Sequence, residues 1–506
     1  MSTSSGLAMG LVAQLPALQV VVPLVAAPVC SLMRVRHLPW AFTLAVTAAT
    51  FLISLGLLLE VLSGGTISYH MGGWQPPFGI EYRIDVFNAF VLLIVSALAV
   101  VVLPFAKRSV EREVPASTHA LFYTMWLACF AGLLGVVATG DAFNLFVFIE
   151  ISSLATYVLI AKGSGNDRRA LTASFHYLIM GTIGATLYLI GLGFLYMLTG
   201  TLNMADLAER LPSVEDNRAV IVAFAFITVG LGLKAAMFPL HTWLPNAYAY
   251  APSAVTAFLA STATKVAVYA LIRMLFTIFG FDVGFEIEIL TYVFLPLAIA
   301  AMFSASIAAI LQEDMKRMLA YSSVAQLGYI VLGLSLSLTS ESGLTASLLH
   351  LFNHALMKGA AFLAVGAIFY RLGTVNLAGI AGLGRRMPWT FGVFIVAGLA
   401  LIGVPGTAGF VSKWYLVGAA IEAGLWPIAA LIVMSSLLAV LYIWRTIEAA
   451  FFRPLPEDAE DVREAPLSLL LPGIVLAAAC IVFGIHAAPI VEVAQTAAEA
   501  LLGQAQ

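Results

Sequence analysis

The stretch HLFNHALMK sets His350, His354 and Lys358 four residues apart, which places all three on one face of a helix. Three titratable groups stacked along about two turns make a ladder for a proton, helped by an unperturbed histidine pKa of about 6.5. The same histidine pair also suits a metal. However, the sequence holds no HExxH and no third carboxylate ligand nearby, so a relay is the better reading and no metal or other cofactor is expected. Further acid–base groups lie in apolar surroundings: Glu150 in NLFVFIEISSLATYVLI, Lys234 in LKAAMFPLHTWLPNAY with Pro239 and His241, Lys265 in STATKVAVYAL, and Lys413 in PGTAGFVSKW with Pro405.

The elements that carry these groups are membrane spans. The 506 residues are 61% hydrophobic and 10% charged, and apolar runs of bilayer-crossing length recur along the whole chain. The fold class is therefore all-α and polytopic. The first run lacks a basic leader and is too long for a cleaved signal, so it is read as a span. Spans are placed at 10–33, 38–62, 84–106, 117–139, 141–162, 169–199, 218–249, 252–279, 285–311, 316–338, 342–370, 387–424, 426–452 and 466–487, about 14 in all. Loops after odd-numbered spans hold 15 Lys and Arg and the opposite loops three; the basic side is the cytoplasmic one, which puts both termini outside the cytoplasm. The acidic stretch at 453–465, with Glu457, Asp458, Glu460, Asp461 and Glu464, reads as a solvated connector. Cys30, Cys129 and Cys480 are scattered in apolar runs without CxxC spacing, which removes iron–sulfur and disulfide readings.

An ionisable group at mid-bilayer costs roughly 2.5 to 3.5 kcal/mol on insertion scales and by default faces a bundle interior or a watery path. Glu150, nine residues from Asp141 and twelve from Lys162, cannot easily reach either surface. The bland alternative is that each such group is a helix–helix polar contact. Lysine is a costly way to make one when Ser or Thr would serve, and its proton affinity responds strongly to burial and to neighbouring carboxylates. Two spans are also interrupted: the seventh at FPLHTWLP, with Pro239, and the twelfth at GVPGTAG, with Gly403, Pro405, Gly406 and Gly409. A proline inside a span frees carbonyls, tolerated at depth only where protein or water satisfies them. Breaks five spans apart, each with a buried lysine, point to two five-helix repeats inverted in the membrane.

These residues resemble the proton-translocating, antiporter-like membrane subunits of Mrp-type multisubunit cation/proton antiporters, of respiratory complex I and of membrane-bound hydrogenases. The resemblance rests on Glu150, Lys234 with FPLHTWLPNAY, Lys265, HxxxHxxxKG at 350–359 and PGTAGFVSKW at 405–414. Among members the chain is most similar to the D-type subunits of Mrp-type antiporters, and it lacks the long lateral helix of the largest complex I homologue. The resemblance implies fourteen helices, a Glu150–Lys234 pair, a bridging Lys265, a histidine connection through His350 and His354, and a terminal ionisable group at Lys413. Asn246 stands where the family suggests aspartate. The implied organisation is 1–116 for helices 1–3, 117–280 for the first repeat, 281–452 for the second, and 453–506 for a cytoplasmic loop and helix 14.

The function expected is a transport subunit of a bacterial-type plasma membrane complex, moving protons along Glu150, Lys234, Lys265, His350, His354, Lys358 and Lys413. Its partners would be other membrane subunits, lipid, H+ and a monovalent cation such as Na+, and no nucleic acid. The alternative is a proton-pumping subunit of a complex I-type or hydrogenase assembly. No nucleophile, phosphate loop or cofactor motif is present, so the chain is not expected to be an enzyme by itself. A non-translocating scaffold subunit and a stand-alone solute transporter are the other classes to test.

Overall fold

The computed structural model describes residues 13–35, 37–215, 217–280, 288–455 and 461–503. Arg36, residues 10–12 and 285–287 of the expected spans, and Glu457, Asp458 and Glu460 lie outside the described residues. Eleven described helices are long and apolar enough to cross a membrane, and two apolar helices, Leu15–Ser31 and Pro388–Ile402, are shorter.

In chain order the helices are α1 (Leu15–Ser31), α2 (Leu38–Gly64), α3 (Val86–Glu113), α4 (His119–Ala138), α5 (Ala142–Ala161) and α6 (Arg169–Thr199). A short α7 (Met204–Arg210) precedes α8 (Arg218–Lys234) and α9 (Leu244–Tyr250), the two halves of the seventh expected span. Then come α10 (Ser253–Ser261), α11 (Ala263–Arg273), α12 (Leu295–Ile310), α13 (Met315–Leu336) and α14 (Glu341–Leu372). The twelfth expected span is again split, into α15 (Pro388–Ile402) and α16 (Ala408–Glu422), and α17 (Trp426–Phe452), α18 (Leu467–Ile485) and α19 (Ala488–Gly503) follow.

The interruptions at Pro239 and Pro405 fall between helices as the prolines require, but four features differ from the sequence reading. The eighth span is not continuous: it breaks at Thr262, between α10 and α11. A β-hairpin pairs Ile67–His70 with Glu81–Ile84 before α3, and α19 adds a helix after the last expected span. The 453–465 stretch is also more than a solvated connector. Glu464 accepts hydrogen bonds from the Trp389 and Thr390 amides at 2.8 and 3.4 Å and from the Thr390 hydroxyl at 2.5 Å, capping the otherwise bare amides of the first turn of α15. A Glu464→Ala variant is expected to lose about 1 kcal/mol, read as a lower melting temperature of the purified protein.

The ends of α5 and α13 are built alike. Asp141 caps α5 by accepting from the Asn144 amide, and Asp314 caps α13 by accepting from the Arg317 amide. Each cap is clasped by a distant Gly-Thr-X-Asn turn: the Ala142 amide donates to Leu202 and the Met204 amide to Gly140, while the Met315 amide donates to Val375 and the Leu377 amide to Glu313. The turns, Gly200-Thr201-Leu202-Asn203 and Gly373-Thr374-Val375-Asn376, both start with a glycine at φ 72°, a conformation that favours glycine.

Candidate proton relay

Lys234 ends α8, where the chain turns off the helix because Ala236 takes a positive φ of 58° and Pro239 offers no amide. The carbonyls this frees are satisfied locally: the Met237 amide donates to Gly232 and the Trp243 indole N–H donates to Leu233 at 3.0 Å. Held there, the Lys234 ammonium lies 3.5 Å from Glu150 Oε1 of α5 and donates to Ser153 Oγ at 2.7 Å. The pair expected from sequence is therefore brought together. Lys234 is buried while the Glu150 side chain keeps 26% exposure, so the carboxylate faces outward from the chain. Beside Lys234, a cavity of about 40 Å³ is lined by Ser152, Ser153, Thr156, Trp243 and Thr264. Its wall is mixed, these hydroxyls standing among apolar residues such as Leu133, Val136 and Ile149, it has room for water, and it reaches from Lys234 to the helix that bears Lys265.

Lys265 is fully buried on the first turn of α11. Its ammonium donates to the Ala260 carbonyl, across the break at Thr262. A charge that would be costly alone at this depth is thus solvated by a carbonyl that the break leaves over.

The α14 ladder forms as the spacing requires. His350 and His354 are buried with rings parallel and centroids 6.2 Å apart. His350 is fixed by the Gln326 Oε1 and Ser412 Oγ atoms at 2.9 and 2.8 Å. Neither ring nitrogen of His354 has a hydrogen-bond partner among the described residues. Lys358, one turn on, donates to the Leu319 carbonyl at 2.8 Å and to the Ser322 hydroxyl. Among the described residues no three His, Cys, Asp or Glu side chains converge as a metal site.

Lys413, next to Ser412, reaches back over the second break. It donates to the last carbonyls of α15, Leu401 and Ile402, at 2.9 and 3.0 Å and to Ser436 Oγ at 3.0 Å. The Tyr329 ring lies 4.5 Å from its ammonium and 5.5 Å from the His350 ring. Lys413 and the histidine ladder therefore share a wall. His241 is not joined to this chain of groups: its ring stacks on Phe238 at 5.4 Å and meets Tyr321 edge-on at 6.5 Å, and Pro239 is exposed.

The transmembrane family described as NADH:quinone oxidoreductase/Mrp antiporter matches residues 139–439, from the first clasp to the middle of α17. The chain belongs to this family. Relatives in it include a Desulforudis audaxviator protein named as the N-type subunit of an NADH-quinone oxidoreductase, 43% identical over 490 residues, covering 94% of this chain and 96% of the relative. Another is the D-type subunit of the Na(+)/H(+) antiporter of Alkalihalophilus pseudofirmus, 32% identical over 451 residues and 89% of each chain. Among solved structures, a chain of the Mrp complex from Dietzia sp. DQ12-45-1b superposes with a TM-score of 0.88 at 28% identity, covering 97% of this chain and 98% of that one. The chain is a multi-pass member of the oxidoreductase/antiporter family.

Within this family member, the partners of the ionisable groups are what the sequence reading missed. Gln326 was findable: an amide in the middle of YSSVAQLGY, an otherwise apolar span, needs a polar partner. Ser153, Ser322, Ser412 and Ser436 were not, since a serine in a span is equally at home bonding its own helix.

Proposed function

We propose that the chain is the proton-translocating membrane subunit of a multisubunit monovalent-cation/proton antiporter, working with other membrane subunits. The observation that carries this is the Glu150–Lys234 pair, with a lysine beside each helix break and a histidine ladder between them. Protons enter near the broken seventh span, pass Glu150, Lys234 and Lys265, cross by water and by His350 and His354 with Lys358, and leave by Lys413. Pro239, His241 and Pro405 belong to the breaks rather than to the proton-carrying groups. Moving one charge changes the Coulomb energy of the next, so Na+ or a similar monovalent cation moving the opposite way can be coupled to the relay. The oxidoreductase-named relative favours a second reading, in which the same relay is driven by redox chemistry in other subunits of a complex I-type assembly.

The two clasps, five spans apart and built on the same Gly-Thr-X-Asn turn, support inverted repeats at 117–280 and 281–452, flanked by 1–116 and 453–506. The basic loops support a cytoplasmic face and termini on the other side of a bacterial-type plasma membrane.

Purification of the tagged chain from its native membrane in mild detergent, with mass spectrometry of what accompanies it, tests the setting. Small membrane subunits without flavin or iron–sulfur proteins, together with sodium-driven pH changes in vesicles, are the expected result. Co-purifying flavin and iron–sulfur subunits select the second reading, and full transport by the chain alone defeats both.

A further inference from the structure

The helix pair α10/α11, broken at Thr262 in front of Lys265, is gripped at both outer ends by one other helix. That helix is α3, 28 residues long and so about 42 Å from end to end. At its C-terminal end, Glu113 is buried and accepts from the Ser253 amide at 2.9 Å and the Ser253 hydroxyl at 3.1 Å, while Ser109 Oγ, itself bound to Glu113 at 2.5 Å, accepts from the Ala254 amide at 3.2 Å. These are the first amides of α10, which no helical carbonyl can reach. At the opposite end, Asp85 is the N-cap of α3, held by a reciprocal bond pair with Asn88. Its carboxylate takes both arms of Arg273, the last residue of α11, at 2.7 and 2.9 Å. The guanidinium lies over the Phe87 and Tyr269 rings, 5.3 and 5.4 Å from their centroids.

None of these groups is in the relay, and together they hold the segment on both sides of its open middle: at the first turn of α10, and at the last α-helical residue of α11, before the chain runs on as a π-helix over Met274–Phe279. We infer that Asp85, Glu113 and Arg273 are positioning residues that clamp α10/α11 to α3, so that rearrangement around Lys265 is confined to the break at Thr262. The reasoning is geometric. A continuous helix resists sliding along its neighbour through its whole length, whereas a broken one can lengthen or shorten at the gap. With both ends tied, the Lys265 ammonium keeps the Ala260 carbonyl as its partner, and the gap keeps its register with the cavity beside Lys234. An arginine–carboxylate pair with two parallel bonds fixes orientation as well as distance, and a carboxylate on bare helical amides is the matching device at an N-terminus. The inference rests on the relay reading for Lys265, but the clamp itself is observable without transport.

The test uses Glu113→Gln for one end and the double variant Asp85→Asn/Arg273→Met for the other. The double variant removes both partners and so leaves no orphaned buried charge, the usual cause of failure when a pair is broken. Hydrogen–deuterium exchange of residues 256–268 in the intact complex is expected to accelerate at least about tenfold in either variant, with α13 unchanged. Sodium-driven proton transport by the same preparations is expected to fall at least about tenfold, and Arg273→Lys, which keeps the charge opposite Asp85, to retain more transport than the double variant with Met. Unchanged exchange at the break overturns the clamp. Faster exchange with transport unaltered, or equal transport by the Lys and Met variants, overturns its role in positioning. Absence of transport in the unaltered complex would defeat the relay reading, and the exchange result would still judge the clamp.

Discussion

Replacing Glu150 by glutamine is expected to abolish coupled transport, lowering the sodium-driven proton flux in vesicles at least about a hundredfold while the complex still assembles. Glutamine keeps the shape and loses the charge. Two unit charges about 4 Å apart at an effective dielectric of about 20 interact by roughly 4 kcal/mol, and every 1.4 kcal/mol or so is a factor of ten in an equilibrium. Lys234, 3.5 Å from the carboxylate, would thus take and release its proton on a very different footing. Glu150→Asp, which retains the charge on a shorter arm, should recover part of the flux. Intact transport by the glutamine variant, in a complex of normal composition, would leave the pair a packing contact and favour the scaffold class.

The second large effect is expected at Gly409, in the first turn of α16. A Cβ there would lie 1.8 Å from the Ala400 carbonyl oxygen and 3.0 Å from Met357 Sδ. Backbone cannot yield as a flexible side chain can, so Gly409→Ala must push α16 away from the end of α15. The cost is put at about 3 kcal/mol, the upper range for overpacking. The same shift would carry Lys413 off the Leu401 and Ile402 carbonyls, so the variant should accumulate poorly and whatever reaches the membrane should transport little. Gly418→Ala in the same helix is the control: nothing lies within 4 Å of its added Cβ, and helix propensity alone predicts neutrality or a slight gain. Normal yield and flux for Gly409→Ala would show that the second break tolerates widening.

How much of this was legible in the sequence depends on how each feature is encoded. Glu150, Lys234 and the 350–358 ladder stand out because a charge in an apolar run has few bland explanations, and the breaks at Pro239 and Pro405 announce themselves through the imino acid. The break at Thr262 does not. Its surroundings, STATK, contain neither Pro nor Gly, and the kink is stabilised by tertiary contacts: the Glu113 and Asp85 grips and the Lys265 bond across the gap. The clasps are hidden because they are made of backbone bonds between segments about sixty residues apart, and their side-chain signature is no more than a Gly-Thr-X-Asn turn and a distant Asp cap. Glu464 reads as solvated because an acidic run usually is, whereas its role depends on meeting the bare end of α15.

Lys413 carries one further implication, in the arithmetic of its hydrogens. An ammonium has three N–H groups, and Lys413 uses them on three oxygens: Leu401, Ile402 and Ser436. A neutral amine has two N–H groups and a lone pair. When the proton departs, two of these contacts can persist and the third must change sense, the oxygen giving rather than receiving. Only one of the three can do so, since carbonyls have no hydrogen to offer. Ser436 would have to swing its hydroxyl from the Ile432 carbonyl, where it now points at 3.0 Å, toward the lysine. The loaded and empty forms of this group would then differ by the rotation of a single O–H bond, with no helix displaced.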